Sequence, residues 1–280
     1  MGEVIACANQ KGGVGKTTTV VSLASYLALD GRRVLLIDLD PQGNATSGLG
    51  IDRTALDASV YDILLSDTPV EAAVQATPVD GLSILPSDRS LAGAEVELVP
   101  SSGRERRLGR VLDSVRDEYD VVLLDCPPSL GLLTVNGLTA ADSVLIPLQC
   151  EYYALEGLGQ LMATIELIRE HLNPPLSMKG VILTMHDGRT SLSADVTTEV
   201  RRHLGDAVFT TVIPRSVRLA EAPSYGQPIA RYSPTSRGAL AYQSATAELL
   251  ERSGSTPGAD LQQARDRYEL PRSAQEEEVS

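Results

Sequence analysis

Tryptophan is absent from the 280 residues and phenylalanine occurs once. With aromatics at 4%, the core has to be assembled from Leu, Val, Ile and Ala. Lysine is almost missing as well: Lys11, Lys16 and Lys179 are the only three among 24 basic residues. Excess positive charge is lacking, since the net charge is −13. That excludes an indiscriminately basic nucleic-acid coat but leaves room for a local basic patch. No apolar run approaches the ~20 residues that span a bilayer. Met1 to Ala8 carry neither the charged start nor the long apolar run of a signal peptide, so a cytoplasmic protein without a membrane partner is expected. Cys7, Cys126 and Cys150 form no CxxC pair. An odd number of thiols beside apolar segments predicts buried, reduced cysteines rather than disulfides or metal ligands.

What is present is globular: 42% hydrophobic and 22% charged residues, enough for a substantial core. Continuous apolar runs predict strands at Val4–Ala8, 34–37, Leu82–Leu85, Val121–Leu124, Val144–Pro147, Gly180–Thr184 and Val208–Ile213. Amphipathic segments predict helices at Thr17–Leu29, Glu105–Asp117, about Leu155 to Leu172, near Ser193–Leu204 and near Ser236–Arg252. Unbroken apolar strands alternating with helices imply an α/β fold, doubly wound, with a mostly parallel sheet covered on both faces. Leu49–Pro78 is weakly patterned and is expected to hold surface helices. The single domain is expected to occupy residues 1–252. From 253 to 280 the chain turns polar, with six acids and three Arg, and is expected to be an acidic, disordered tail.

The strongest motif is Lys11-Gly12-Gly13-Val14-Gly15-Lys16-Thr17-Thr18, between a strand and a helix. Glycines let backbone N–H groups turn inward around phosphate oxygens, and the helix start adds its positive dipole end. Lys16 is placed to bridge β- and γ-phosphates, and Thr17 to offer its hydroxyl to Mg²⁺. The general pattern wants Gly at position 10; this chain has Gln10 there and begins the loop with a second lysine. Asp125 ends an apolar strand, at the ligand edge of a parallel sheet, where it can hold Mg²⁺ through water. Asp38 and Asp40 lie two residues apart at another strand end, so one can serve the metal's water shell and the other the attacking water.

KGGVGKTT resembles the deviant Walker A motif of the ParA/MinD ATPases, which have the P-loop NTPase fold. The blocks Leu35–Gly50, Leu123–Leu138, Ile146–Leu158, Leu183–Ser193 and Ile213–Ile229 resemble the ParA/Soj branch, and the likeness runs from about Val4 to Leu250. The resemblance implies an ATPase using ATP and Mg²⁺. It implies an ATP site of Lys11 to Thr18, with Met185, Pro214 and Arg215 around the base and ribose. Asp40 is implied to prepare the hydrolytic water, which leaves Asp38 for the Mg²⁺ water shell. Lys11 is implied to reach phosphate across a face-to-face homodimer, as an arginine finger does. Arg189 and Arg218 are implied to contact double-stranded DNA without reading sequence, through the bidentate guanidinium. The implied function is DNA segregation: an ATP-bound dimer coats the nucleoid and is released when a centromere-binding ParB-type partner stimulates hydrolysis. The alternative within the family is a MinD-like membrane or cargo-positioning switch. The membrane form needs a basic amphipathic C-terminal helix, whereas this chain ends Glu276-Glu277-Glu278-Val279-Ser280.

Overall fold

The computed structural model describes residues 2–66, 68–151 and 154–269. In chain order its elements are β1 (Glu3–Cys7), α1 (Lys16–Leu29), β2 (Val34–Asp38), α2 (Asn44–Gly48), α3 (Val60–Leu65), β3 (Gln75–Ala76), β4 (Leu82–Leu85), α4 (Leu91–Glu97), α5 (Arg107–Val115), β5 (Val121–Asp125), α6 (Leu132–Ala140), β6 (Ser143–Gln149), α7 (Ala154–His171), β7 (Ser177–His186), α8 (Ser191–Leu204), β8 (Val208–Pro214), α9 (Val217–Glu221), α10 (Ile229–Tyr232), α11 (Arg237–Arg252) and α12 (Ala259–Glu269). The strands form one sheet in the order β3-β4-β2-β5-β1-β6-β7-β8, parallel except for the short β3. Every residue of β2 and β5 is buried, as expected for strands covered on both faces.

Two apolar clusters hold the layers together. One joins α3 to α8 to one face of the sheet, through residues such as Ile63, Leu98, Leu112, Leu161 and Val200. The other packs α1 and α11 on the opposite face, through Leu23, Leu27, Ala245 and Leu249, with Tyr242 and Phe209 as its largest fully buried side chains. Register then does the work that matters for the site. Cys7 of β1 and Asp38 of β2 both pair with Asp125 of β5, so three strands end at one level. The loop after β1 and both strand-end aspartates therefore open onto the same edge.

The expected strands all form, and β6 and β7 run longer than their apolar runs suggested. The helix expected over Glu105–Asp117 is α5 with a 3₁₀ turn at each end. The 49–78 segment is less superficial than expected, because Val60, Ile63 and Leu64 of α3 are buried. A capping box between Ser59 and Asp62 starts that helix.

The expectation of disorder from residue 253 is corrected for 253–269. Helix α12 docks on α11 although its composition is polar. Leu261 is buried, and the buried Arg265 guanidinium reaches Glu248 Oε2 at 3.2 Å and Thr211 Oγ1 at 3.3 Å. The linker before it is tied down where Gly258 N–H donates to Asp30 Oδ1 (2.9 Å) and Arg32 to the Thr256 carbonyl (3.0 Å). A buried ion pair supplies what an apolar stripe usually does, so the polar composition misled. Residues 270–280 lie outside the described residues.

Candidate nucleotide site

The loop from Gly12 to Gly15 leaves β1 and enters α1. Gly13 and Gly15 have φ of +77° and +88°, a region L side chains rarely enter, so glycine is required for the loop to curl. No side chain caps the start of α1, which leaves its first backbone N–H groups available to an anion. Lys16 is buried, and its Nζ donates to the Lys11 carbonyl at 3.3 Å, closing the loop on itself. The Val14 side chain is buried in the core, and its carbonyl accepts from Thr184 Oγ1 at 2.8 Å. Val14 therefore anchors the loop, and only its backbone is left to serve phosphate.

Thr17 Oγ1 donates to Asp125 Oδ2 at 2.7 Å, while Asp125 Oδ1 is buried with no hydrogen-bond partner. An orphaned buried carboxylate oxygen is costly unless something fills its place. Burial, then the Asp38 charge, pushes the Asp125 carboxyl well above the usual carboxylate range, with the Thr17 bond opposing. A hydrated Mg²⁺ beside Thr17 fits this pair: it would satisfy the free oxygen and offset the charge. No cluster of three or more His, Cys, Asp or Glu able to hold a metal occurs among the described residues. The ion would accordingly depend on Thr17, water and nucleotide phosphate.

Asp38 is tied into the turn that follows β2. It is buried, and both oxygens are engaged: Oδ2 accepts from Thr46 Oγ1 (2.7 Å) and Thr46 N–H (2.8 Å), Oδ1 from Asp40 N–H (3.2 Å). Burial lifts its carboxyl to about 6 against these three hydrogen bonds. This carboxylate braces the turn that follows, and its charge acts on the neighbouring Asp125. Asp40 lines the same cleft as Lys16 and Thr17, and its Oδ1 accepts from Gln42 N–H at 2.9 Å.

The cleft has a volume of about 550 Å³. Its phosphate end is Gly12, Gly13, Gly15, Lys16, Thr17 and Thr18. Its apolar end is Val21, Met185, Leu219, Ala222, Pro223, Pro228 and Ile229, a surface suited to a base. Met185 is the one non-glycine residue with positive φ (+52°) among the described residues, and such strain gathers at binding sites. Pro214 and Arg215 do not line this cleft. They follow β8, where Arg215 N–H donates to the His186 carbonyl at 2.9 Å. The sequence block that contains them was recognised, but the cleft uses its later part. Prolines at 223 and 228, which fix the turns around α9 and α10, were the available signal.

Lys11 stands at the rim. Its Nζ pairs with Glu151 Oε2 at 2.5 Å, both side chains being nearly half exposed, and Gln149 Nε2 holds the other Glu151 oxygen at 2.5 Å. The role of Glu151 was missed because nothing in its local sequence marks it. Arg189 follows β7 and Arg218 lies on α9, after the neighbouring edge strand. Both are exposed and ion-paired, Arg189 with Asp187 at 2.7 Å and Arg218 with Glu221 at 2.9 Å. Cys7, Cys126 and Cys150 are free and buried, and burial raises all three thiols, which makes them inert.

A family model described as an AAA domain matches residues 2–178. The chain is 58% identical over 242 residues to the sporulation initiation inhibitor protein Soj of Bacillus subtilis, covering 86% of this chain and 96% of that one. It is 52% identical over 251 residues to the chromosome partitioning protein ParA of Caulobacter vibrioides, covering 89% and 94%. Among solved structures, a Mycobacterium smegmatis protein named cobyrinic acid a,c-diamide synthase, with bound ADP and magnesium, superposes with a TM-score of 0.79 at 43% identity, covering 92% and 98%. MinD of Pyrococcus horikoshii with Mg-ADP gives 0.75 at 27% identity, covering 91% and 98%. With a phosphate loop, a threonine–aspartate pair fitted to Mg²⁺ and these relatives, the chain belongs to the ParA/Soj family of magnesium-dependent partitioning ATPases.

Proposed function

We propose that the chain segregates DNA through an ATP-gated dimer. Lys16, the Thr17 hydroxyl and the loop amides bind the phosphates, and Asp40 orients the water that attacks the γ-phosphate. Mg²⁺, when bound, neutralises charge on the phosphates. Lys11 leaves Glu151 and reaches the nucleotide of the second subunit, so hydrolysis waits for dimerisation. Thr18 and the apolar walls from Met185 to Ile229 hold ribose and base. The dimer doubles the number of arginines facing one duplex, with Arg189 and Arg218 exchanging their carboxylate partners for DNA phosphates. A centromere-binding ParB-type partner then triggers hydrolysis and release, which gives a nucleoid-associated protein that cycles.

The observation that carries the nucleotide switch is the Thr17–Asp125 contact beside an orphaned carboxylate oxygen, on the same cleft as Asp40. The names of the relatives carry the partition role. A membrane-bound switch finds less support, because α12 uses Leu261 and Arg265 to dock on the body.

The test is retention of unrelated duplex DNA with ATP, ADP or no nucleotide, at two salt concentrations. Retention is expected only with ATP, to fall with salt at a log–log slope of about −0.9 per phosphate contact, and to be indifferent to sequence. Arg218→Glu is expected to abolish it while ATP binding and dimerisation persist. Equal retention by both proteins removes this arginine from the interface. Absence of ATP-dependent retention by the parent removes the DNA function.

A further inference from the structure

Asp40 is followed by Pro41-Gln42-Gly43, a turn outside any helix or strand. A carboxylate on such a turn aims reliably only if the turn is held. Part of the hold is internal: Ser87 Oγ donates to the Asp40 carbonyl at 2.8 Å, and Ser87 N–H to Thr46 Oγ1 at 3.0 Å, the hydroxyl that also binds Asp38. The other part comes from one guanidinium. Arg53 Nη2 donates to the Pro41 carbonyl at 3.0 Å, Nη1 to the Gln42 carbonyl, and Nε to the Ser87 carbonyl at 3.4 Å.

Three carbonyls from two separate segments converge on one planar fork, which lysine cannot reproduce with a point charge. Among the described residues no carboxylate lies within ion-pair distance of Arg53, so its donors serve backbone oxygens. Gly43 makes the approach possible. Its φ is +60°, and a Cβ there would fall 2.2 Å from Arg53 Nε. The turn is thus clamped between Asp38–Thr46 on its inner side and Arg53 on its outer side.

We propose that Arg53 is a positioning residue for ATP hydrolysis, fixing the Pro41–Gly43 turn so that Asp40 presents its carboxylate to the attacking water. The proposal rests on the Asp40 role given above. Arg53 touches no part of the cleft's phosphate end, so its loss slows the chemical step without weakening nucleotide binding. A misplacement on the order of 1 Å costs about 100-fold when geometry carries the rate.

The experiment compares full-length parent, Arg53→Ala, Arg53→Lys, Asp40→Ala and the Asp40→Ala/Arg53→Ala double variant. Fluorescent-ATP affinity, single-turnover hydrolysis and thermal melting are measured on each. Arg53→Ala is expected to bind nucleotide within about twofold of the parent and to hydrolyse about 10- to 100-fold more slowly. Added ethylguanidinium is expected to restore much of that rate, which a general loss of structure would not allow. The double variant is expected to be no slower than Asp40→Ala alone, because both act on one step. Should Arg53→Ala fail to fold, Arg53→Lys carries the test, with slowed hydrolysis at unchanged affinity expected. Parent-like turnover in the folded Arg53 variant, or a rate loss matched by an equal loss of ATP affinity, overturns the proposal. Parent-like turnover in Asp40→Ala instead overturns the Asp40 role on which it rests.

Discussion

Replacing Glu151 by glutamine should tighten the ATP-dependent dimer. In the monomer this carboxylate holds Lys11 at 2.5 Å, with side-chain exposures of 43% for the lysine and 48% for the glutamate. On the function proposed above, the lysine abandons that partner before it serves a second subunit, so the pair opposes assembly. Ion pairs this exposed are worth about 0.2–1 kcal/mol. Two pairs break per dimer, giving about 0.4–2 kcal/mol, which is about 2- to 30-fold in the dissociation constant. The hydrogen bond from Gln149 Nε2 to the same carboxylate limits its freedom and favours the upper part of that range. Sedimentation equilibrium with ATP is the assay, in an Asp40→Ala background so that hydrolysis does not deplete the dimer. The gain should shrink at high salt, where exposed charges are screened. Unchanged or weaker dimerisation in Glu151→Gln would refute the idea that Glu151 restrains Lys11.

Lys16→Ala should lose ATP turnover, since the cation proposed to bind the phosphates disappears; a phosphate-release assay showing parental rates would contradict the loop assignment. The raised Asp38 carboxyl means that the folded chain binds this proton more tightly than the unfolded chain does. Its contribution to stability is therefore full below the ordinary aspartate value near 4 and is lost as pH rises through about 6. Nucleotide-free melting across that window should fall in the parent and be flatter in Asp38→Asn; parallel curves would reject the assignment. Glu248→Ala should destabilise by about 3 kcal/mol, the lower end of the range for breaking a buried pair, because it removes the buried carboxylate facing Arg265 and the acceptor of two N–H groups while Glu251 (3.6 Å) and Thr211 Oγ1 (3.3 Å) still face the guanidinium. For a chain of this size that lowers the melting temperature by roughly 6–12 °C in calorimetry, and a drop within the noise would mean that α12 is not docked as described.

Much of the fold was legible because a parallel sheet writes itself into the sequence as unbroken apolar runs. Val34 to Ile37 and Val121 to Leu124 could be little else. The phosphate loop was legible for a related reason: its glycines and Lys16-Thr17 are local, and their backbone demands appear in the order of residues. What was not legible depended on partners elsewhere in the chain. The strand-end position of Asp38 suggested a carboxylate at the ligand edge but gave no sign that Thr46, eight residues on, hydrogen-bonds it. Helix α12 looked like a tail because its docking uses an ion pair to Glu248 in place of leucines. Helices α4 and α6 escaped notice, α6 because LLTVNGLTA mixes β-branched residues and glycine into a mostly apolar stretch. Arg53 and Glu151 carried no motif, and only the folded chain brings them to Pro41, Gln42 and Lys11.

Strand β8 is the last in the sheet, and the opposite margin, β3, is only two residues long. A free margin normally offers a row of unpaired backbone groups on which another chain can add a strand. Here side chains occupy that row. Glu248 accepts from the N–H groups of Thr210 (2.7 Å) and Thr211 (3.0 Å). Arg201 donates to the carbonyls of Phe209 and Thr210, both at 3.0 Å, and Arg252 to that of Val208 at 3.0 Å. These contacts guard this side of the sheet against strand addition from another chain. At high local concentration, a guarded margin of this kind keeps neighbouring copies from adding strands to one another through β8.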